Sequence, residues 1–150
     1  MGLDDLRIFL RHHRRIALDT SVFIYQLQAN FRYLELTDHI FSWLERPDCE
    51  AVTSTITMTE LLVQPYRDLD EQRVDEFYAL LSTYPNLEWI APNLEIADLA
   101  GRIRALHRLR TPDALQAATA AHAQATGLIT NDPAFERVEN FETLVLDRVL

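Results

Sequence analysis

The stretch LRTPDALQAATAAHAQATGLITNDPAF, Leu109 to Phe135, decides the fold. Thr111-Pro112-Asp113 opens a helix: a hydroxyl suited to the N-cap, a proline whose missing N–H costs nothing in the first turn, and an acid that complements the helix dipole. The alanine-rich run carries that helix to Thr126, and Gly127 stands where a helix-ending glycine belongs. Leu128 to Thr130 is then a short apolar strand, and Asp132-Pro133 starts a short helical turn. A helix followed at once by a buried strand that ends in polar and acidic residues is half of a strand–helix–strand unit.

The same alternation extends outward in both directions. Upstream, Leu94 to Arg108 reads as a long helix and Leu87 to Ile90 as a strand. Asp70 to Ser82 and Ile56 to Tyr66 are helices, and Pro65 is expected to end or kink the latter. Glu50 to Thr53 is a strand, and Pro47 closes a helical stretch from Phe31 to Leu44. Ser21 to Gln28 is helical. Arg15 to Asp19 (RIALD) is an apolar strand that ends in an acid. Leu3 to His13 is a short amphipathic helix with Leu3, Leu6, Phe9 and Leu10 on one face. Downstream, Thr143 to Leu146 is a last strand. This order predicts an α/β fold with a mainly parallel central sheet flanked by helices on both faces.

The 150 residues suit one domain, 1–150, with residues 1–14 as an N-terminal helical extension. Hydrophobic residues make up 48%, enough for a real core and too many for a disordered chain. Cys49 is the single cysteine, which excludes an internal disulfide and a cysteine-based zinc cluster. No apolar run approaches the roughly 20 residues that cross a bilayer, and the N-terminus lacks the pattern of a signal peptide. The expectation is a cytoplasmic protein with no membrane partner. A net charge of −9 argues against nucleic-acid binding, unless some of the acids hold divalent cations.

Four acids are placed to do so. Asp19 ends the first strand and Asp132 follows the fourth, where ligands of open parallel sheets bind. Glu60 lies on the helix after the second strand, and Asp113 in the first turn of the alanine-rich helix. Carboxylates gathered at one rim repel unless a cation neutralises them. An all-oxygen set suits Mg²⁺ or Mn²⁺, and a pair of such ions can drive phosphodiester cleavage. Each acid alone has a plainer reading. Asp19 can cap the next helix, Asp113 can complement a dipole, Asp132 can shape a turn, and Glu60 can sit on a solvated face. A phosphatase with an aspartyl nucleophile ranks low, because the position two residues after Asp19 is Ser21 rather than a second aspartate.

IALDTSVFIY (Ile16 to Tyr25), TSTITMTELLVQP (Thr53 to Pro65) and LRTPDALQAATAAHAQATGLITNDPAF together resemble the motifs of PIN-domain nucleases, most closely the VapC-like toxin branch. The resemblance runs from about Arg15 to Leu150 in the right order. It implies a PIN-like three-layer sandwich and Mg²⁺- or Mn²⁺-dependent cleavage of RNA, with Asp19, Glu60, Asp113 and Asp132 as catalytic acids holding one or two ions. It further implies that Thr130 orients Asp19 or a water, with Thr20 and Asn131 supporting the acids. A small antitoxin and a homodimer are the partners it implies, beside the RNA substrate. The N-terminal helix departs from the pattern, since members of this type commonly begin almost at the first strand. The alternative of a different class is a PIN-like module that binds RNA or protein without cutting.

Arg102, Arg104, Arg108 and Arg110 form a basic strip leading to Asp113. It either guides RNA phosphates or is a solvated helix end whose cations favour the dipole. A second basic cluster, Arg11 to Arg15 with two histidines, has the same plain reading. His39, Trp43 and Trp89 are read as packing residues.

Overall fold

A computed structural model describes residues 2–150. Five strands build one sheet: β1 (Arg15–Leu18), β2 (Glu50–Ser54), β3 (Leu87–Ile90), β4 (Gly127–Thr130) and β5 (Glu142–Val145), in the order β3-β2-β1-β4-β5. Every pairing is parallel, so the sheet is wholly rather than mainly so. Helix α1 (Leu3–His12) precedes the first strand, and six helices connect the strands: α2 (Thr20–Leu27), α3 (Leu34–Leu44), α4 (Ile56–Arg67), α5 (Glu71–Ser82), α6 (Leu94–His107) and α7 (Thr111–His122). Two short 3₁₀ turns, Pro133–Arg137 and Leu146–Val149, flank β5.

A parallel sheet hides both faces, and the strand residues divide accordingly. Ile16, Leu18, Ala51 and Ile129 pack into one core with Leu6, Phe9, Phe23, Ile40 and Leu44 from α1, α2 and α3. Their neighbours Ala17, Val52 and Leu128 pack into the other, against Ile96, Ile103 and the small residues Ala114, Ala117 and Ala118 of α6 and α7. The alanine run thus lets α7 lie close on the sheet. The result is three layers, α/β/α.

Strand order reverses at β1. The chain moves from β1 outward to β2 and β3, then returns to place β4 on the other side of β1. A crevice opens at such a switch point, at the carboxyl ends of the two strands. Asp19 follows β1 there, and its amide donates to the Ile129 carbonyl of β4 at 3.0 Å.

Three local expectations are corrected. Arg110, not Thr111, holds the N-cap position of α7, and Thr111 and Pro112 fill its first two helical positions. That helix ends at His122, with Gln124 taking the left-handed turn at φ 60°, so Gly127 is free to begin β4. Packing explains the glycine: a Cβ at Gly127 would meet the Phe9 ring at 2.8 Å and the His13 ring at 3.1 Å. Finally, α4 runs through Pro65 to Arg67 before it stops. A proline two residues from a helix end sacrifices one hydrogen bond without breaking the last turn.

Among the described residues no helix is long and apolar enough to cross a membrane.

Candidate active site

The four acids arrive at the switch-point rim from four different elements. Asp19 occupies the N-cap position of α2, yet its side chain makes no capping bond to that helix. It accepts instead from the Thr130 hydroxyl at 2.8 Å, and the Ser21 hydroxyl stands 3.5 Å from the same oxygen, Oδ2. Thr130 in turn accepts from the Asp132 amide at 3.0 Å, which ties the end of β4 to the end of β1. The Thr130 hydroxyl of β4 is thus the closest side-chain partner of Asp19, beside the Thr20 amide at the start of α2.

Asp132 does act as a cap. Its Oδ1 accepts from the Ala134 amide at 2.9 Å, fixing the 3₁₀ turn that Pro133 begins. Asp113 is only partly exposed, and Arg110 Nε donates to it at 3.4 Å. Glu60 lies on an exposed position of α4 and accepts from the Thr20 hydroxyl at 2.7 Å.

Asp19 is 8% exposed. Burial pushes its carboxyl up to about 6 from the ordinary 3.8, and the charges of Asp113 and Glu60 push the same way, while Thr130 and the Thr20 amide oppose the rise. Asp113 is also raised, by burial first and then by Asp132 and Glu60 against the pull of Arg110. Each acid is thus within electrostatic reach of at least one other, and Asp113 is coupled to all three of the rest.

The donor set is all oxygen, and the buried Asp19 carries negative charge that no cationic side chain contacts. Both features fit a hard divalent cation. Among the described residues, however, no three His, Cys, Asp or Glu side chains are gathered closely enough to grip an ion. The acids share a rim and a field.

Beneath them lies a buried polar layer that sequence reasoning missed. Gln116 Nε2 donates to the Thr57 hydroxyl, its Oε1 accepts from the Ser54 amide at 3.3 Å, and Thr53 donates to the Leu18 carbonyl at 2.8 Å. Gln116 and Thr57 lie three residues from Asp113 and Glu60 on their helices, a spacing that shares a face and signals them. On the other side, Asn131 Nδ2 donates to the hydroxyls of Tyr25 and Tyr33 at 2.9 and 3.1 Å, and its Oδ1 accepts from the Asp147 amide at 2.8 Å. No local spacing links Asn131 to Tyr33 or Asp147.

Of the predicted basic strip, Arg110 alone is joined to an acid of the rim. Arg104 donates to the Leu109 carbonyl at 2.8 Å, Arg108 forms the left-handed end of α6 at φ 58°, and Arg102 is exposed on that helix.

The model of the PIN domain matches residues 16–140. The chain belongs to the PIN-domain family. This PIN domain also resembles solved structures of toxin–antitoxin complexes. The VapBC-1 structure from nontypeable Haemophilus influenzae matches at 22% identity and a TM-score of 0.69, covering 89% of this chain and 98% of that one. VapBC2 from Rickettsia felis, bound to a DNA fragment from their promoter, gives 18% and 0.67, covering 87% and 98%. A toxin–antitoxin complex from Klebsiella pneumoniae gives 23% and 0.64, covering 87% and 97%. At these identities the likeness is one of fold. No curated protein matches the chain at a significant level.

Proposed function

We propose that this PIN domain is a metal-dependent endoribonuclease, the toxin of a toxin–antitoxin pair. The observation that carries the reading is the placement of Asp19, Glu60, Asp113 and Asp132 at one rim, with the buried Asp19 under the charges of Asp113 and Glu60. The family and the named complexes among its structural neighbours support the toxin assignment.

In this reading the four carboxylates hold one or two Mg²⁺ or Mn²⁺ ions, which when bound supply the Lewis acidity that phosphodiester hydrolysis needs. Asp19 carries the centre. Thr130 fixes its Oδ2, and Oδ1 carries no hydroxyl contact. Its high proton affinity in the fold makes it a carboxylate that gains from a nearby cation. Asp113 and Glu60 add charge from α7 and α4, and Asp132 does so from a position locked by Ala134. Thr20 orients Glu60, and Asn131 holds the loop between Thr130 and Asp132. Arg110, beside Asp113, can meet a phosphate of the incoming strand. A homodimer and a small antitoxin that covers the rim complete the reading.

The test is cleavage of single-stranded RNA with Mn²⁺, comparing the natural chain with Asp19→Asn and Asp113→Asn. Both variants should fold and lose cleavage by at least about 100-fold. Cleavage undiminished in both, with contaminating nuclease excluded, overturns the mechanism.

The separation of the acids favours one second reading, a PIN-like module that binds RNA or protein without catalysis. Calorimetry with millimolar Mn²⁺ decides between them. No heat of binding supports the module, and saturable binding lost in Asp19→Asn supports the nuclease.

A further inference from the structure

The end of the sheet opposite the acids carries a feature that the nuclease reading leaves unused. Helices α1 and α3 run toward the starts of β1 and β2, and between them lies a pocket of about 260 Å³ lined by Arg7, Leu10, Arg11, His39, Trp43 and Arg46. Three guanidiniums and an imidazole line it, and no carboxylate does, in a chain of net charge −9. Arg7 reaches Asp4 only at 3.4 Å in an exposed pair. Among the described residues, Arg11 and Arg46 make no ion pair. Arg14 extends the positive surface into an adjoining hollow, where Asp48 is the one acid in the lining.

Helix dipoles explain part of this. Arg11 sits in the last turn of α1, and Arg46 follows the end of α3, where cations are favoured. They do not explain Arg7, in the middle of α1, nor a concave floor made by the buried Leu10 and Trp43. The positive field is felt inside: after burial, the charges of Arg7 and Arg46 are what hold His39 below its usual range.

We propose that this pocket binds a phosphate group, either free or as the phosphodiester of a nucleic-acid strand. Guanidinium forks match the oxygens of a phosphate two at a time. Three of them around a small hollow exceed what a single carboxylate neutralises, so a free phosphate dianion, or a strand that brings several phosphodiester charges at once, fits better than one acidic side chain. The site depends on α1, which lies outside the residues that the PIN-domain family matches, and it stands independently of the nuclease reading.

Trp43 and Trp89 are the only tryptophans, so Trp89→Phe leaves Trp43 as a reporter in the pocket wall. Its fluorescence is titrated with inorganic phosphate at constant ionic strength, with a short single-stranded DNA oligonucleotide, and with a tetraglutamate peptide. Saturable change with phosphate or the oligonucleotide is expected. It should weaken at least about tenfold when Arg11→Gln and Arg46→Gln are added, two changes that keep much of the packed stem. Response to inorganic phosphate identifies a free-phosphate site, and response to the oligonucleotide alone identifies a strand site. The proposal is overturned if neither probe gives a saturable change, if the double variant binds equally well, or if tetraglutamate binds more tightly than both. Circular dichroism confirms that the variants are folded. Asp19→Asn should leave the phosphate response unchanged, which separates this site from the acidic rim.

Discussion

Thr130 donates its hydroxyl to Asp19 at 2.8 Å across the two strands that flank the switch point. The bond holds the buried carboxylate in place and eases its ionisation. Replacing Thr130 by valine keeps the shape and removes the donor. Asp19 then loses the largest influence opposing its rise, and its proton affinity climbs further above about 6. RNA cleavage at pH 7 should fall about tenfold or more, with the acid limb of the pH–rate profile displaced to higher pH. An unshifted profile would show that Thr130 is only a packing residue.

The same buried acid makes stability depend on pH with a definite sign. The unfolded carboxyl ionises near 3.8 and the folded one near 6, so the fold binds the proton more tightly. The stability this group contributes is fully present below pH 3.8 and is lost as pH rises to about 6. At neutral pH the cost is about 3 kcal/mol. In metal-free buffer, Asp19→Asn should therefore melt above the natural chain at pH 7, with little difference at pH 3.5. A variant that melts lower at pH 7 would mean that Asp19 is held by a partner rather than strained by burial.

How far these features were legible in the sequence follows from the range of the forces involved. The strands and helices were legible because each rests on local periodicity, and RIALD announced where its strand ends by placing an acid after an apolar run. The acids of the rim were legible as a set only through ordered motifs, since each alone has a plain use, and Asp132 indeed performs one. Gln116 and Thr57 could have been found from their three-residue spacing to Asp113 and Glu60. The clasp of Asn131 with Tyr33 and Asp147 could not, because it joins segments about 100 and 16 residues apart. Gly127 misled for a related reason: its need for a missing side chain comes from Phe9, more than a hundred residues earlier.

Gln116 is the keystone of the buried polar layer. Its amide serves Thr57 and Ser54 at once, and its Nε2 lies 3.4 Å from the Thr20 hydroxyl that holds Glu60. Gln116→Leu fits the volume and leaves the Ser54 amide without its acceptor. A loss of about 1–3 kcal/mol is expected from denaturant unfolding, with the slope unchanged. Stability equal to the natural chain would show that the layer is filled by other partners.

The contact between α1 and β4 supplies the last prediction. A methyl at Gly127 must displace the Phe9 ring, which stands 2.8 Å from where the new carbon would lie, and the His13 ring at 3.1 Å. Phe9 is buried and tilted against His13 with ring centres 4.6 Å apart, so neither ring moves without disturbing the other. Gly127→Ala should destabilise by about 1–3 kcal/mol, as overpacking of a close-fitted core does. Phe9→Leu removes the atom that clashes and should itself cost stability. Combined with Gly127→Ala, it should cost less than the two changes added together, because the second change relieves what the first creates. Thermal melts of the four proteins measure the coupling. Strict additivity would mean that α1 withdraws from the sheet when Gly127 is replaced, and that the N-terminal helix is held by Leu6 and Leu10 rather than by the contact at Gly127.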